Sequence, residues 1–426
     1  MKGLGTRLRR TLGSASHAPS PPSAFAEEFK ALRGSLERRE HGLGEHRSLL
    51  EACGGHPMET PFGPVWLIEH ETLLECRHGE RQLSTFFERT LLDAARVCAS
   101  PELAEYTPDD VCFLDIEATG LEHGAGTMAF LVGLAFRQGG SLITRQYLLR
   151  EPSEEKALLY ALLNELRERP LFVTFNGKSY DLSLLETRLV LSRLLESKEY
   201  QLKANPHLDL LHLSRNLHRG RWSDTRLGTL ESELLGFHRV DDLPGALVPS
   251  AWFHFLRTKD ASMLGKAVTH NLHDIWSMVV LADHLLETAS LEATPKEPAQ
   301  VQANLGYLLV RRREYRRAIK VLEPLLRSEP ERPETYRRAL DALALAARRT
   351  QDSQLEIASL QRLNLIFPNE YEVLTRLAIA SERRAKNIPL ALSAALQAHA
   401  LCPSAKSSGR VRRLERKQSQ RQRVAC

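Results

Sequence analysis

The chain has 426 residues, 42% hydrophobic and 26% charged, which is enough apolar material for two or three domains and too much for a disordered chain. A net charge of +5 is compatible with a nucleic-acid partner without requiring one. Six scattered cysteines argue for reduced thiols in a cytoplasmic compartment, and no apolar run of about 18 residues predicts a membrane-spanning helix or a membrane partner.

Residues 1–24 are basic at Lys2, Arg7, Arg9 and Arg10 and then rich in Pro and Ser. They lack the apolar segment of a secretory signal and read as a disordered tail. Phe25, Phe29, Leu32 and Leu36 recur at three- and four-residue steps, which predicts an amphipathic helix. The apolar and β-branched content of residues 62–79 predicts a strand pair, so residues 25–104 are expected to form an N-terminal helix-and-hairpin region, as a small subdomain or an embellishment of the central domain. Cys53 with His56, and Cys76 with His78, are read as unrelated side chains rather than a zinc site.

Residues 111–114 are apolar and read as a buried central strand, followed by Asp115 and Glu117. Side chains alternate along a strand, so the two acids leave the same face. Adjacent buried anions require protonation or a cation, and hard oxygen ligands suit Mg²⁺ or Mn²⁺. Two further apolar runs, 128–136 and 142–149, flank a Gly139-Gly140 turn and complete an antiparallel meander. Helical spacing over 154–168, stopped at Pro170 before a strand at 171–175, predicts a parallel crossover and a mixed central sheet.

Asn176 and Gly177 then make a turn, and Asp181 opens a helix, where an acid has an ordinary role as cap or dipole partner. A short strand at 207–211 carries Asp209. The Arg-rich stretch 214–226 makes Arg219 and Arg221 candidate contacts to a phosphate backbone, with a solvated loop anchored by Trp222 as the alternative. Residues 266–286 form a helix on which His270 and Asp274, four apart, share a face.

The segments DIEATGL at 115–121, FNGKSYD at 175–181 and HNLHD at 270–274 together resemble the YprB-like ribonuclease H-like domain of the DEDD 3′-5′ exonuclease superfamily. The resemblance covers about residues 105–287. His270 stands four positions before Asp274, the spacing of the Tyr-type members, where the His-type members use five. The resemblance implies phosphodiester hydrolysis by two divalent ions. Asp115, Glu117, Asp181 and Asp274 are the implied ligands, with His270 as the base that takes a proton from water. Thr119, beside Gly120, is placed where a nucleic-acid end would approach the backbone, and Asn176 and Lys178 where they would orient Asp181 or a phosphate.

A linker is expected at 291–300. Beyond it the chain is helical, and Gly306, Ala318 and Pro330, with Pro368 and Pro403 at later periods, match tetratricopeptide-like spacing over 301–403. Such repeats offer either a groove for a protein partner or a cap on the nuclease. Residues 404–426 hold eight Lys/Arg and one Glu. They are expected to be a disordered tail that attaches electrostatically to nucleic acid. The expected architecture is an α/β RNase H-like domain at 105–290 followed by an all-α repeat domain, acting on DNA or RNA. The rival expectation is a scaffold that binds nucleic acid through its repeats and tails without turnover.

Overall fold

The computed structural model of the protein describes residues 46–120, 126–195, 202–290, 298–328 and 332–425. The helix expected around Phe25, and positions Leu121 and Pro330, lie outside these residues. Strands β1 (His56–Thr60), β2 (Gly63–Leu73), β5 (Val111–Ala118), β6 (Ala129–Gln138), β7 (Ser141–Leu148), β8 (Leu171–Thr174) and β9 (His207–Asp209) form one sheet in the order β1-β2-β7-β6-β5-β8-β9. A separate two-residue ribbon pairs β3 (Arg77–His78) with β4 (Arg81–Gln82). Strands β5, β6 and β7 are the antiparallel meander, with Gly139 at φ +59° supplying the left-handed turn residue, and β8 joins β5 in parallel. The N-terminal hairpin is not a separate subdomain. Strand β2 pairs along β7 from Trp66 opposite Leu148 to Leu73 opposite Ser141, so the hairpin extends the central sheet.

Each face of the sheet carries helices. On one side Cys112, Leu114 and Phe172 pack with helices α1 (Glu155–Arg167), α2 (Asp181–Leu191) and, past the short α3 (Leu210–Leu217), α4 (Val248–Thr258). On the other side Val111, Phe113 and Val173 meet α5 (Ser262–Ser290) through Ile275, Met278 and Val279. The period-two alternation of β5 assigns its residues to these two cores.

The C-terminal region is all-α: α6 (Ala299–Arg311), α7 (Tyr315–Leu322), α8 (Pro333–Arg349), α9 (Ser353–Ile366), α10 (Tyr371–Arg383), α11 (Ile388–Leu401) and α12 (Ala405–Ala425). At Gly306 an added Cβ would stand 2.3 Å from Leu322, so glycine there is what lets α6 and α7 close on each other. Of the linker expected at 291–300, residues 291–297 lie outside the described residues, and α6 begins at Ala299 and packs directly on the α/β domain. Ala303, Leu305 and Leu309 of α6 lie in the same apolar core as Val279 and Leu286 of α5. Asn304 donates to the Leu217 and Arg219 carbonyls, and Arg317 ion-pairs with Asp93 at 2.8 Å.

The final segment corrects the expectation of a disordered tail. Residues Ala405–Ala425 form helix α12, because Val411 and Leu414, three apart, bury themselves against Leu377 and Ile388. Glu382 of α10, almost fully buried, accepts from Arg413 at 2.7 Å and Lys417 at 2.7 Å. Two apolar side chains in a polar run are too few to predict a helix by periodicity; the partner surface makes it.

Arg413, then Lys417, hold the Glu382 carboxyl down to about 2, against an ordinary value of 4.5. A depressed carboxylate stabilises the fold above its ordinary value and loses that contribution as pH falls toward the depressed one. Amide exchange of α12, followed by mass spectrometry and corrected for intrinsic rate, should therefore accelerate between pH 5 and pH 2. In Glu382→Gln it should be faster already at pH 7, with no such acid step.

Candidate active site

Asp115 and Glu117 leave β5 on the same side as Val111 and Phe113, toward α5. Gly133 of β6 stands opposite Asp115, and a Cβ there would lie 2.2 Å from Ile275 Cδ1 and 2.3 Å from Asn271 Oδ1. The missing side chain lets α5 approach the strand closely enough for Asn271 Nδ2 to donate to Asp115 Oδ2 at 2.8 Å. Gln146 Nε2 donates to Asn271 Oδ1 at 2.8 Å, which fixes the amide with its NH₂ toward the acid.

His270 and Asp274 come from the same helix, one turn apart, with Nε2 and Oδ2 3.6 Å from each other and both side chains largely buried. Ligand atoms of Glu117, His270 and Asp274 all lie within 4.8 Å of one another. Asp181 is buried in the first turn of α2, and the preceding Tyr180 straps that turn to β5 by donating to the Gly120 carbonyl. His273 points elsewhere, packing 5.3 Å from the Phe237 ring.

The acids are held at high electrostatic cost. Burial, then Asp274, pushes the Asp115 carboxyl up to about 7. Glu117 is raised well above its ordinary value by burial and then by Asp115, Asp274 and Asp181; Asp181 is raised by burial and then by Asp115 and Asp209. Neither the Glu117 nor the Asp181 carboxylate has a hydrogen-bond donor among the described residues. Crowded, donor-poor carboxylates with an imidazole in reach are a donor set that fits hard divalent cations.

Three residues of the site escaped the sequence reading. Arg239 donates to Glu231 at 2.6 and 2.8 Å, to Asp242 at 3.3 Å and to Asp274. It is the counter-charge of the cleft, and Glu231 and Asp274 outweigh burial to keep it firmly protonated. Asp242 lies 2.9 Å from His270 Nδ1. A carboxylate at that distance accepts a hydrogen bond from Nδ1–H, which leaves the Nε2 lone pair of the neutral ring facing Asp274 and Glu117. Burial alone would depress His270, but Asp242 and Asp274 raise it on balance. Glu231 is anchored in turn by Ser277, itself 2.7 Å from His78 of the ribbon. None of this was visible as a motif, although a charged pair, Asp241-Asp242, just before Pro244 marks the segment that reaches His270.

The expected nucleic-acid contacts divide. The Thr119 hydroxyl accepts from Met128 N at 3.0 Å and ties the end of β5 to the start of β6. Asp209 accepts from the backbone of Asn176 at 2.9 Å and Lys178 at 3.1 Å, holding Asn176 at φ +71° and thereby setting the start of α2, while both side chains are exposed. Arg219 and Arg221 sit in a loop tied to the helical region, where Arg221 stacks 4.4 Å over the Trp222 ring. No contact links either arginine to the carboxylates among the described residues.

A mixed sheet whose central strand faces an acid- and histidine-bearing helix defines a ribonuclease H-like domain. Residues 112–286 match the RNase_H superfamily, and the chain belongs to it. Over nearly its whole length the chain is also similar to a Bacillus subtilis (strain 168) protein named "Uncharacterized protein YprB". The two are 32% identical over 419 residues, covering 91% of this chain and all of that one.

Two substitutions should move stability in opposite directions. Gly133→Ala forces α5 away from β5 and should cost about 1–3 kcal/mol, the usual range for overpacking, read as a lower denaturant midpoint. Asp181→Asn relieves a crowded, desolvated carboxyl and should raise the melting temperature in chelator.

Proposed function

We propose that the protein is a metal-dependent nuclease of the DEDD type that hydrolyses phosphodiester bonds of DNA or RNA from the 3′ end. The observation that carries this reading is the convergence of Glu117, His270 and Asp274 within 4.8 Å in the cleft between β5 and α5, with Asp115 and Asp181 alongside. In an RNase H superfamily domain, such a cleft fits a negatively charged backbone only once its acids are neutralised.

Asp115, Glu117, Asp181 and Asp274 would hold two ions, Mg²⁺ or Mn²⁺. When bound, these ions supply charge neutralisation of the scissile phosphate and lower the pKa of water. Asn271 holds Asp115 in place, and Arg239 bears on the outer oxygen of Asp274. His270, with Nδ1 tied to Asp242, accepts the proton of the attacking water at Nε2. Asp209 and Tyr180 keep the Asp181 turn against β5, so that the acids meet without a rearrangement.

We also read the helical region as tetratricopeptide-like repeats that offer a surface to a protein partner. The unpaired cysteines among the described residues support a reducing, cytoplasmic setting.

The test is digestion of 5′-labelled single-stranded DNA and RNA with Mn²⁺ and with chelator. The wild type should yield a ladder shortening from the 3′ end, only with metal. His270→Ala should lose about 10²- to 10⁴-fold in rate, and Asp115→Asn should be inert. Full activity in Asp115→Asn, or an intact substrate in every wild-type reaction, would refute the proposal.

A further inference from the structure

Helix α12 has two unlike sides. At 100° per residue Ser407, Val411 and Leu414 fall on one stripe, and all three are buried. Lys406, Arg412, Arg413, Arg416 and Lys417 fall within an arc of about 140° on the opposite side, and all five are exposed. Arg413 and Lys417 share Glu382, whereas Lys406, Arg412 and Arg416 have no acidic partner among the described residues. Arg412 and Arg416, four apart, repel each other, as do Arg413 and Lys417. Arg410, half-buried on the flank, sits in the field of Arg413 and Arg383, which together with burial disfavours its own charge. The fold therefore keeps a row of like charges together that the isolated helix would not favour.

We propose that this face of α12 is a docking surface for the phosphodiester backbone of nucleic acid, separate from the cleft at β5 and α5. The choice of polyanion rests on the nuclease reading and on charge complementarity. The exposed arc carries no large apolar side chain, so it lacks what an interfacial helix needs to enter a lipid headgroup layer. The row of basic side chains from Lys406 to Lys417 is about 17 Å long, the rise of about five base pairs of duplex. Bound there, a polymer is retained on the same molecule as the cleft between cleavage events, and short substrates gain nothing.

The experiment uses the full-length protein in chelator, so that binding is read without hydrolysis. Anisotropy of labelled 40-nucleotide DNA and RNA, single-stranded and duplex, is followed against salt for the wild type and for Lys406→Glu/Arg412→Glu/Arg416→Glu. Glutamate retains helix propensity at all three positions. The triple variant should bind about tenfold or more weakly at low salt, with a log–log salt slope shallower by about 2 to 3. Arg412→Lys/Arg416→Lys should bind like the wild type, and circular dichroism should show helix content unchanged in both. With Mn²⁺, the triple variant should cut a trinucleotide at the wild-type rate and show a raised KM for the long strand alone. Unchanged affinity and slope in the triple variant would overturn the inference. So would capture of phosphatidylserine vesicles or polyglutamate through these residues in place of nucleic acid. Binding that follows the expected pattern in a protein that cuts nothing would leave this surface standing and remove the nuclease reading instead.

Discussion

The constraint on which the rest of the domain depends is the crowding of carboxylates where β5 meets α5. Asp115, Glu117, Asp181 and Asp274 bring four carboxyl groups into one cleft, and burial makes ionisation costly for Asp115, Glu117 and Asp181. A fold tolerates this only if other elements hold the acids against their repulsion. Gly133 admits α5, Asn271 and Gln146 pin Asp115, and Asp209 and Tyr180 pin the turn bearing Asp181. Such pre-organisation keeps the acids together at a cost in stability that the surrounding contacts offset.

Arg239 is the internal part of that balance. Its guanidinium faces Glu231, Asp242 and Asp274 at once, so it neutralises part of the cleft and ties α5 to the segment following the π-turn at Glu231–Leu235. The π-turn is itself seated by the ribbon, since Glu80 N donates to the Leu235 carbonyl at 2.7 Å and Gly79, at φ +61°, leaves no room for a Cβ there. The two-residue strands β3 and β4, negligible as structure, thus set the position of the cation that borders Asp274. They do so through a chain from His78 to Ser277 to Glu231 to Arg239.

The parts of the site that could be read from sequence obey a short-range rule. Asp115 and Glu117 share a face because strands alternate, and His270 and Asp274 share one because helices repeat every 3.6 residues. Asp181, at a helix start where an acid has an ordinary capping role, is assigned to the site only through the resemblance of FNGKSYD at 175–181. Arg239, Asp242 and Glu231 follow from no such rule, since Arg239 reaches Asp274 across 35 positions and its partners are set by how three elements pack. The same limit explains α12. Its sequence is mostly polar or charged, and Val411 and Leu414 acquire meaning only against the surface formed by α10 and α11. In the other direction, Arg219, Arg221 and Thr119 had the right chemistry for phosphate contact. The structure uses Thr119 to tie β5 to β6 and ties the arginine loop to α6 and α8.

That loop shows how the two parts of the chain depend on each other. Asn304 of α6 holds the Leu217 and Arg219 carbonyls, Arg332 holds that of Gly220, and the side chains of α6 continue the core begun by α5. Helix α5 therefore carries His270 and Asp274 on its first half and the base of the helical region on its second. An α-helix is stiff along its axis, and a core packed at crystalline density shifts as a unit rather than by continuous deformation. The base of the C-terminal helices thus rests on the same rigid element that presents the histidine and the last acid to the cleft. One helix belongs to both the helical region and the cleft.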